Sequence, residues 1–348
     1  MKKLTILSAV SAIALSMGTT AHAEELAVVG SWSGLPLHKQ FEAPFWNDKL
    51  GEVSGGELSA SLTTHDQMGI SGGDVYRMMS QGVFDVGMTV ADYAVSDSVA
   101  LEALDVPMIA TDADTAKKAV DAARPMVDDI YKDVFNAKVL GIAPYPPQVV
   151  FCNAEINSLD DLQGKKVRAS GRMTAKFLEA LGAEGVNIGF GEVPGALQRG
   201  VVDCAITGAG SGYNAGWWEV STHLLPIPLG GWDPVVTAIN LDKWNTLSDA
   251  QKAALEKGVK ENLEAPAWEV AQNALNNDIA CLTGNGECPY GDARGLVLVE
   301  ATDEDQAKAK AVLISEVLPD WAERAGGDWA QRWSDSVGKV TGVSLEAK

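Results

Sequence analysis

The stretch Ser158–Val220 constrains the fold more than any other. Short β-branched and apolar runs alternate there with segments of helical periodicity. The pattern predicts a strand over Lys165–Ser170, a helix over Arg172–Leu181 and a short strand over Val186–Ile188. A helix over Glu192–Arg199 and a strand over Val201–Thr207 follow. That alternation calls for a parallel sheet covered by helices. Sheets of that kind bind ligands beyond the carboxyl ends of their strands. Arg168 stands at such an end, and Ser170-Gly171 opens the next helix. A guanidinium keeps its charge and can grip a carboxylate with two parallel hydrogen bonds. The adjoining helix N-terminus also favours an anion.

A similar series precedes it. Strands are predicted over Glu25–Gly30, Glu57–Thr63 and Val83–Thr89, and helices over Leu37–Lys49, Gly72–Gln81 and Ala116–Val134. Leu37, Phe41 and Phe45 share one face of the first helix, and Pro44 is expected to kink or split it. The prolines of GIAPYPP at 141–147 force an extended path, which places a crossing between lobes there. Beyond Pro226–Trp232 the sequence predicts a returning strand over Val235–Leu241 and a long helix over Ser248–Leu275. Ser248 and Gln251 open that helix as a capping box. A late strand, Leu296–Glu300, and a helix, Asp305–Ala325, complete the pattern. Two α/β units with several crossings describe a bilobal protein with a cleft between the lobes.

Lys2 and Lys3, the apolar run Leu4–Met17 and Ala21-His22-Ala23 read as an export leader cleaved after Ala23. The mature chain is then roughly 325 residues, a length that fits two domains. The formal charge is −20, and losing the leader removes two lysines and no acid. So acidic a surface argues against nucleic acid and anionic membranes as partners. Four cysteines in an exported chain point to disulfides. Cys281 and Cys288 flank a turn-rich loop and are expected to bridge. Cys152 and Cys204 either bridge, if their strands are neighbours, or remain buried thiols.

Enzyme signatures are scarce. The histidines after the leader, His38, His65 and His223, have no metal-ligand spacing, and neither cysteine pair has zinc spacing. GSWSG at 30–34 puts Trp32 where a nucleophile elbow needs serine. GAGSGYNAG at 208–216 fits only the loose form of a dinucleotide fingerprint, and reads instead as a flexible loop that brings backbone to the cleft. No catalytic residue, cofactor or metal is expected. Trp32 and Trp232 follow strand-like segments on opposite lobes and are candidates for cleft walls.

DLQGKKVRASG, EALGAEGVNIGFGEVPGALQRGVVDCAIT and WWEVSTHL, with LHKQFEAPFWNDKLGEVSGGELSA and VYRMMSQGVFDVGM upstream and WDPVVTAINLDKWNTLSDAQKAAL downstream, resemble the solute-binding proteins of tripartite ATP-independent periplasmic (TRAP) transporters. The resemblance spans nearly the whole mature chain. It implies two α/β lobes of the type II periplasmic binding-protein kind, joined by hinge strands, with a long helix spanning both. Residues 24–147 and about 235–273 would form one lobe. Residues 148–234 and about 274–348 would form the other, with the C-terminal helices packing across both. It further implies a periplasmic receptor that captures a small organic acid and hands it to an ion-driven permease. Arg168 matches the family's carboxylate grip, Phe190 its stacking aromatic and Thr207 a polar contact. Ser31 or Trp32 and Thr89 fall at pocket-lining positions. Gln148 stands where many members have a second arginine, so a monocarboxylate with an apolar or aromatic body is the expected ligand. A sensory receptor and a periplasmic hydrolase are the rival readings.

Overall fold

The computed structural model describes residues 23–343 and residue 345. The leader, residues 1–22, lies outside the described residues. Among the described residues eleven strands form two sheets. They are β1 (Glu24–Gly30), β2 (Leu58–Thr64), β3 (Val86–Val90), β4 (Ala137–Ala143), β5 (Gln148–Cys152), β6 (Lys166–Ala169), β7 (Glu184–Asn187), β8 (Cys204–Gly208), β9 (His223–Leu225), β10 (Val235–Asn240) and β11 (Val297–Leu298). The first sheet runs β2-β1-β3-β10-β4 and the second β11-β9-β5-β8-β6-β7. The protein is therefore a bilobal α/β molecule, one lobe per sheet.

Within each sheet the helix-linked strands are parallel: β1 with β2 and β3, and β6 with β7 and β8. The strands that carry the chain between lobes are antiparallel. β10 runs against β3 and β4, and β5 against β8 and β9. The chain leaves the first sheet at Ala143, enters the second at Gln148, and returns from β9 to β10. β3, β5, β8 and β10 are buried along their whole length, as central strands covered on both faces must be. Cys152 lies opposite Cys204 in the β5–β8 pair, and the two are disulfide-bonded. Cys281 and Cys288 form the second bridge.

The helices that matter below are α1 (36–53), α2 (Ala113–Phe135), α3 (Arg172–Ala180), α4 (Ala209–Asn214), α5 (249–283) and α6 (303–325). Pro44 neither kinks α1 to a stop nor splits it. A proline inside a helix lacks an N–H and crowds the carbonyl four residues back. The chain meets that demand with a widened turn just before it, where the Ala43 amide reaches back five residues to the His38 carbonyl. The same device precedes Pro266 in α5 and Pro319 in α6, through Lys260–Glu264 and Leu313–Val317.

The capping box expected at Ser248 and Gln251 is formed and opens α5. This helix spans both lobes. Near the first sheet, the Trp268 indole N–H donates to the Ile142 carbonyl at 2.9 Å. At its far end, Leu282 packs with Phe151 and Trp217 in the core of the second lobe. The segment Gly208–Gly216 is not a loop at the cleft but contains the short helix α4. Its glycines make close packing possible, since a side chain at Gly212 would strike the Phe151 ring.

Candidate functional site

A cleft of about 620 Å³ lies between the lobes. Its principal walls all come from the carboxyl ends of parallel strands: Trp32 after β1, Asp92 and Tyr93 after β3, Arg168 and Gly171 at the end of β6, and Phe190 after β7. That is where an open α/β sheet leaves its crevice.

Arg168 is the only cation among the described residues that reaches this cleft from the interior of a sheet, and it is 2% exposed. Its Nε donates to the Ile188 carbonyl at 2.9 Å and its Nη1 to the Ile206 carbonyl at 2.6 Å. These two bonds fix the plane of the guanidinium and use two of its five N–H groups. The Trp217 ring lies 5.8 Å from Cζ. Among the described residues no carboxylate forms an ion pair with it. Burial lowers its proton affinity, while Tyr93, Asp233 and Asp92 act the other way. An arginine in that setting stays charged.

Two carboxyls, Asp92 and Asp233, act on it, and a third, Asp105, acts on both of them. Burial, reinforced by Asp105 and Glu102, pushes Asp92 well above the usual carboxylate range, with Arg168 opposing. Burial and then Asp105 and Asp92 do the same to Asp233. Burial raises Asp105 to about 6, against hydrogen bonds from the Asp233 and Gly231 amides and from Gln148. Only Asp92 of the three lines the cleft, and its Oδ1 is buried without a hydrogen-bond partner.

An aromatic chain joins the lobes. Trp32 packs on Phe190 with ring centroids 5.3 Å apart, and Phe190 stacks on Trp217 at 5.4 Å. Trp32 also meets His65 edge-on at 4.5 Å. Across the same gap, Asp92 packs directly on Gly171. A β-carbon placed there would lie 1.8 Å from Asp92 Oδ2.

Of the residues expected at the site, Arg168, Phe190 and Trp32 line the cleft together. Ser31, Thr89, Gln148 and Thr207 are buried outside its lining. The Ser31 hydroxyl bonds to that of Tyr145 at 3.2 Å. Thr89 Oγ1 has no hydrogen-bond partner and lies under Gly72, a lining residue. Gln148 Nε2 donates to Asp105 and Asp233 at 3.0 and 3.1 Å, so its amide serves the acid pair. Thr207 faces Val149 within the second sheet. Trp232, expected on a cleft wall, is in the core instead. Its indole N–H donates to the Ala110 carbonyl at 2.9 Å, and its ring packs near Trp268. Asp92 and Tyr93 were not singled out from sequence, and Gly171 was read only as part of the opening of the next helix. The rule that found Arg168 also finds Asp92, which stands two residues past the end of β3.

A family model described as bacterial extracellular solute-binding protein, family 7, matches residues 33–313. The ectoine-binding periplasmic protein TeaA of Halomonas elongata is 26% identical over 193 residues, covering 49% of this chain and 56% of TeaA. The chain thus spans about half the length of the curated relatives it matches. A Bordetella pertussis extracytoplasmic solute receptor binding pyroglutamic acid superposes with a TM-score of 0.78 at 19% identity, over 90% of this chain and 99% of that one. A TRAP periplasmic solute-binding protein from Desulfovibrio salexigens with bound orotic acid also gives 0.78, at 16% identity, over 91% and 99%.

Proposed function

The chain belongs to the bacterial extracellular solute-binding protein family 7, the solute receptors of TRAP transporters, and we propose that its cleft captures a small organic monocarboxylate. The reading rests on one observation: a buried guanidinium, held in plane by two carbonyls, with no ion-pair partner among the described residues. Burying a charge is costly unless an opposite charge joins it. A ligand carboxylate on the remaining N–H groups of Arg168 supplies that charge.

Trp32 and Phe190 give the ligand body an apolar, aromatic wall. Asp92 Oδ1 offers an acceptor beside the anion grip, which favours an acid that also carries an N–H donor. Pyroglutamic acid, orotic acid and ectoine each combine a carboxylate with a ring N–H. The receptor works without turnover. A ligand touching both lobes stabilises the closed form, and the hinge equilibrium shifts by the difference in its contacts with the two forms. Exported to the periplasm, the closed receptor delivers the acid to an ion-driven membrane permease.

A thermal-shift screen of the mature protein tests this reading. Carboxylates with and without ring N–H groups, dicarboxylates, and neutral or cationic compounds of the same size are compared. A ligand bound only by the folded state raises stability by RT ln(1 + [L]/Kd). The reading expects a monocarboxylate to give the largest shift, and Arg168→Met to abolish it. A shift from neutral or cationic compounds alone overturns it, and tighter binding of dicarboxylates removes the monocarboxylate assignment.

A further inference from the structure

A second pocket, of about 280 Å³, shares no lining residue with the cleft. It is built where the chain crosses between sheets. Phe41 of α1, Tyr145 of the crossing, Tyr213 of α4, Ala274 of α5 and the half-exposed Tyr290 form apolar and aromatic walls. Asp278 of α5 lines it as the single charged group. It is 3% exposed, and its Oδ2 has no hydrogen-bond partner. Among the described residues no lysine or arginine lines the pocket. The Arg294 guanidinium, which packs on the lining residue Tyr213, is occupied by the Tyr213 hydroxyl and by the rings of Tyr213 and Trp218.

The backbone around this carboxylate is fitted to it. A β-carbon on Gly210 would lie 2.7 Å from Asp278 Oδ2, so the acid occupies space that any other residue would take. This accounts for one glycine of a run that the cleft does not use. The Tyr290 hydroxyl and the Gly210 amide act as donors to this carboxyl, but among the described residues no cation pairs with it, and a buried acid inside aromatic walls is the complement of a cation with an apolar body.

We propose that this pocket binds a small protonated amine with an apolar or aromatic body, the ammonium donating to Asp278. Burial pushes the Asp278 carboxyl up to about 7, so an entering cation draws it into its charged form. Of the groups facing it, Tyr290 and Tyr213 are the titratable ones.

Benzylamine is the probe, titrated calorimetrically at pH 8 into the native protein and three variants, with benzyl alcohol as the uncharged control. Benzylamine is expected to bind about tenfold or more tightly than the alcohol. Asp278→Asn, nearly the same shape, and Ala274→Leu, which fills the pocket, are each expected to weaken it by about tenfold or more. Arg168→Met is expected to leave it unchanged. Equal binding of the alcohol, unchanged affinity in Asp278→Asn, loss in Arg168→Met, or no benzylamine binding at millimolar concentration would each overturn the proposal. The alcohol comparison needs no variant, so it decides the question even if a substitution impairs folding.

Discussion

Gly171→Ala makes a test of the closed cleft from a single methyl group. The new carbon would stand 1.8 Å from Asp92 Oδ2 and 2.9 Å from its Cγ. Non-bonded heavy atoms rest about 3.5 Å apart, so the carboxylate has to withdraw by more than an ångström. Backbone strain plays no part, since Gly171 has φ −146° and ψ −177°, an extended conformation open to alanine. Asp92 is buried and comes from the first sheet, whereas Gly171 follows β6 of the second. The overlap therefore either displaces Asp92 or holds the lobes apart. Overpacking of this kind costs about 1–3 kcal/mol. If the open form escapes that cost, apparent affinity falls by roughly 5- to 150-fold. The assay is calorimetric titration with the acid that gives the largest thermal shift, in a double-mutant cycle with Asp92→Ala. Removing the carboxylate frees the space, so Gly171→Ala should cost nothing on the Asp92→Ala background. An equal loss on both backgrounds, or none on the native one, would refute the reasoning.

Three further outcomes follow from the packing. Cys152–Cys204 closes a separation of 52 residues and Cys281–Cys288 one of 7. Loop entropy then predicts losses of about 4 and about 2 kcal/mol when each pair is replaced by alanine, measured by urea unfolding. A larger loss for the short loop would contradict that ordering. Asp278 holds its proton more tightly folded, at about 7, than unfolded near 3.8. Its stabilising contribution is therefore full at low pH and is lost as pH rises from about 4 to 7. Asp278→Asn should gain on the native protein between pH 5 and pH 8, by at most about 3 kcal/mol. A difference independent of pH would contradict the buried acid. Phe190→Ala removes the ring between Trp32 and Trp217. It should weaken the acid by about tenfold, read in the same calorimeter, and unchanged affinity would take Phe190 out of the site.

Much of the second lobe was legible because its strands and helices alternate over short intervals with clear glycine punctuation. Arg168 could be found by the rule that ligands gather at carboxyl ends of parallel strands, and that rule extends to Asp92 once β3 is placed. Other features depend on contacts distant in sequence. β4 is buried along nearly its whole length and lacks the alternation that marks a half-exposed strand. The antiparallel course of β5 and β10 follows from where the chain crosses, not from their composition. Pro44 pointed to a break, yet a widened turn lets α1 pass it. Trp232 carries the same signal as Trp32, an aromatic near a strand end. Only the Ala110 carbonyl and Trp268, both far away in the chain, separate core from wall.

The central claim is that Arg168 receives a carboxylate. Its most direct test titrates one acid and its own primary amide into the native protein and into Arg168→Met. Acid and amide share shape and differ in charge. The account predicts that the native protein prefers the acid by about hundredfold or more, and that Arg168→Met loses that preference through weaker acid binding. Equal affinity for acid and amide in the native protein, or a preference that survives Arg168→Met, would contradict it.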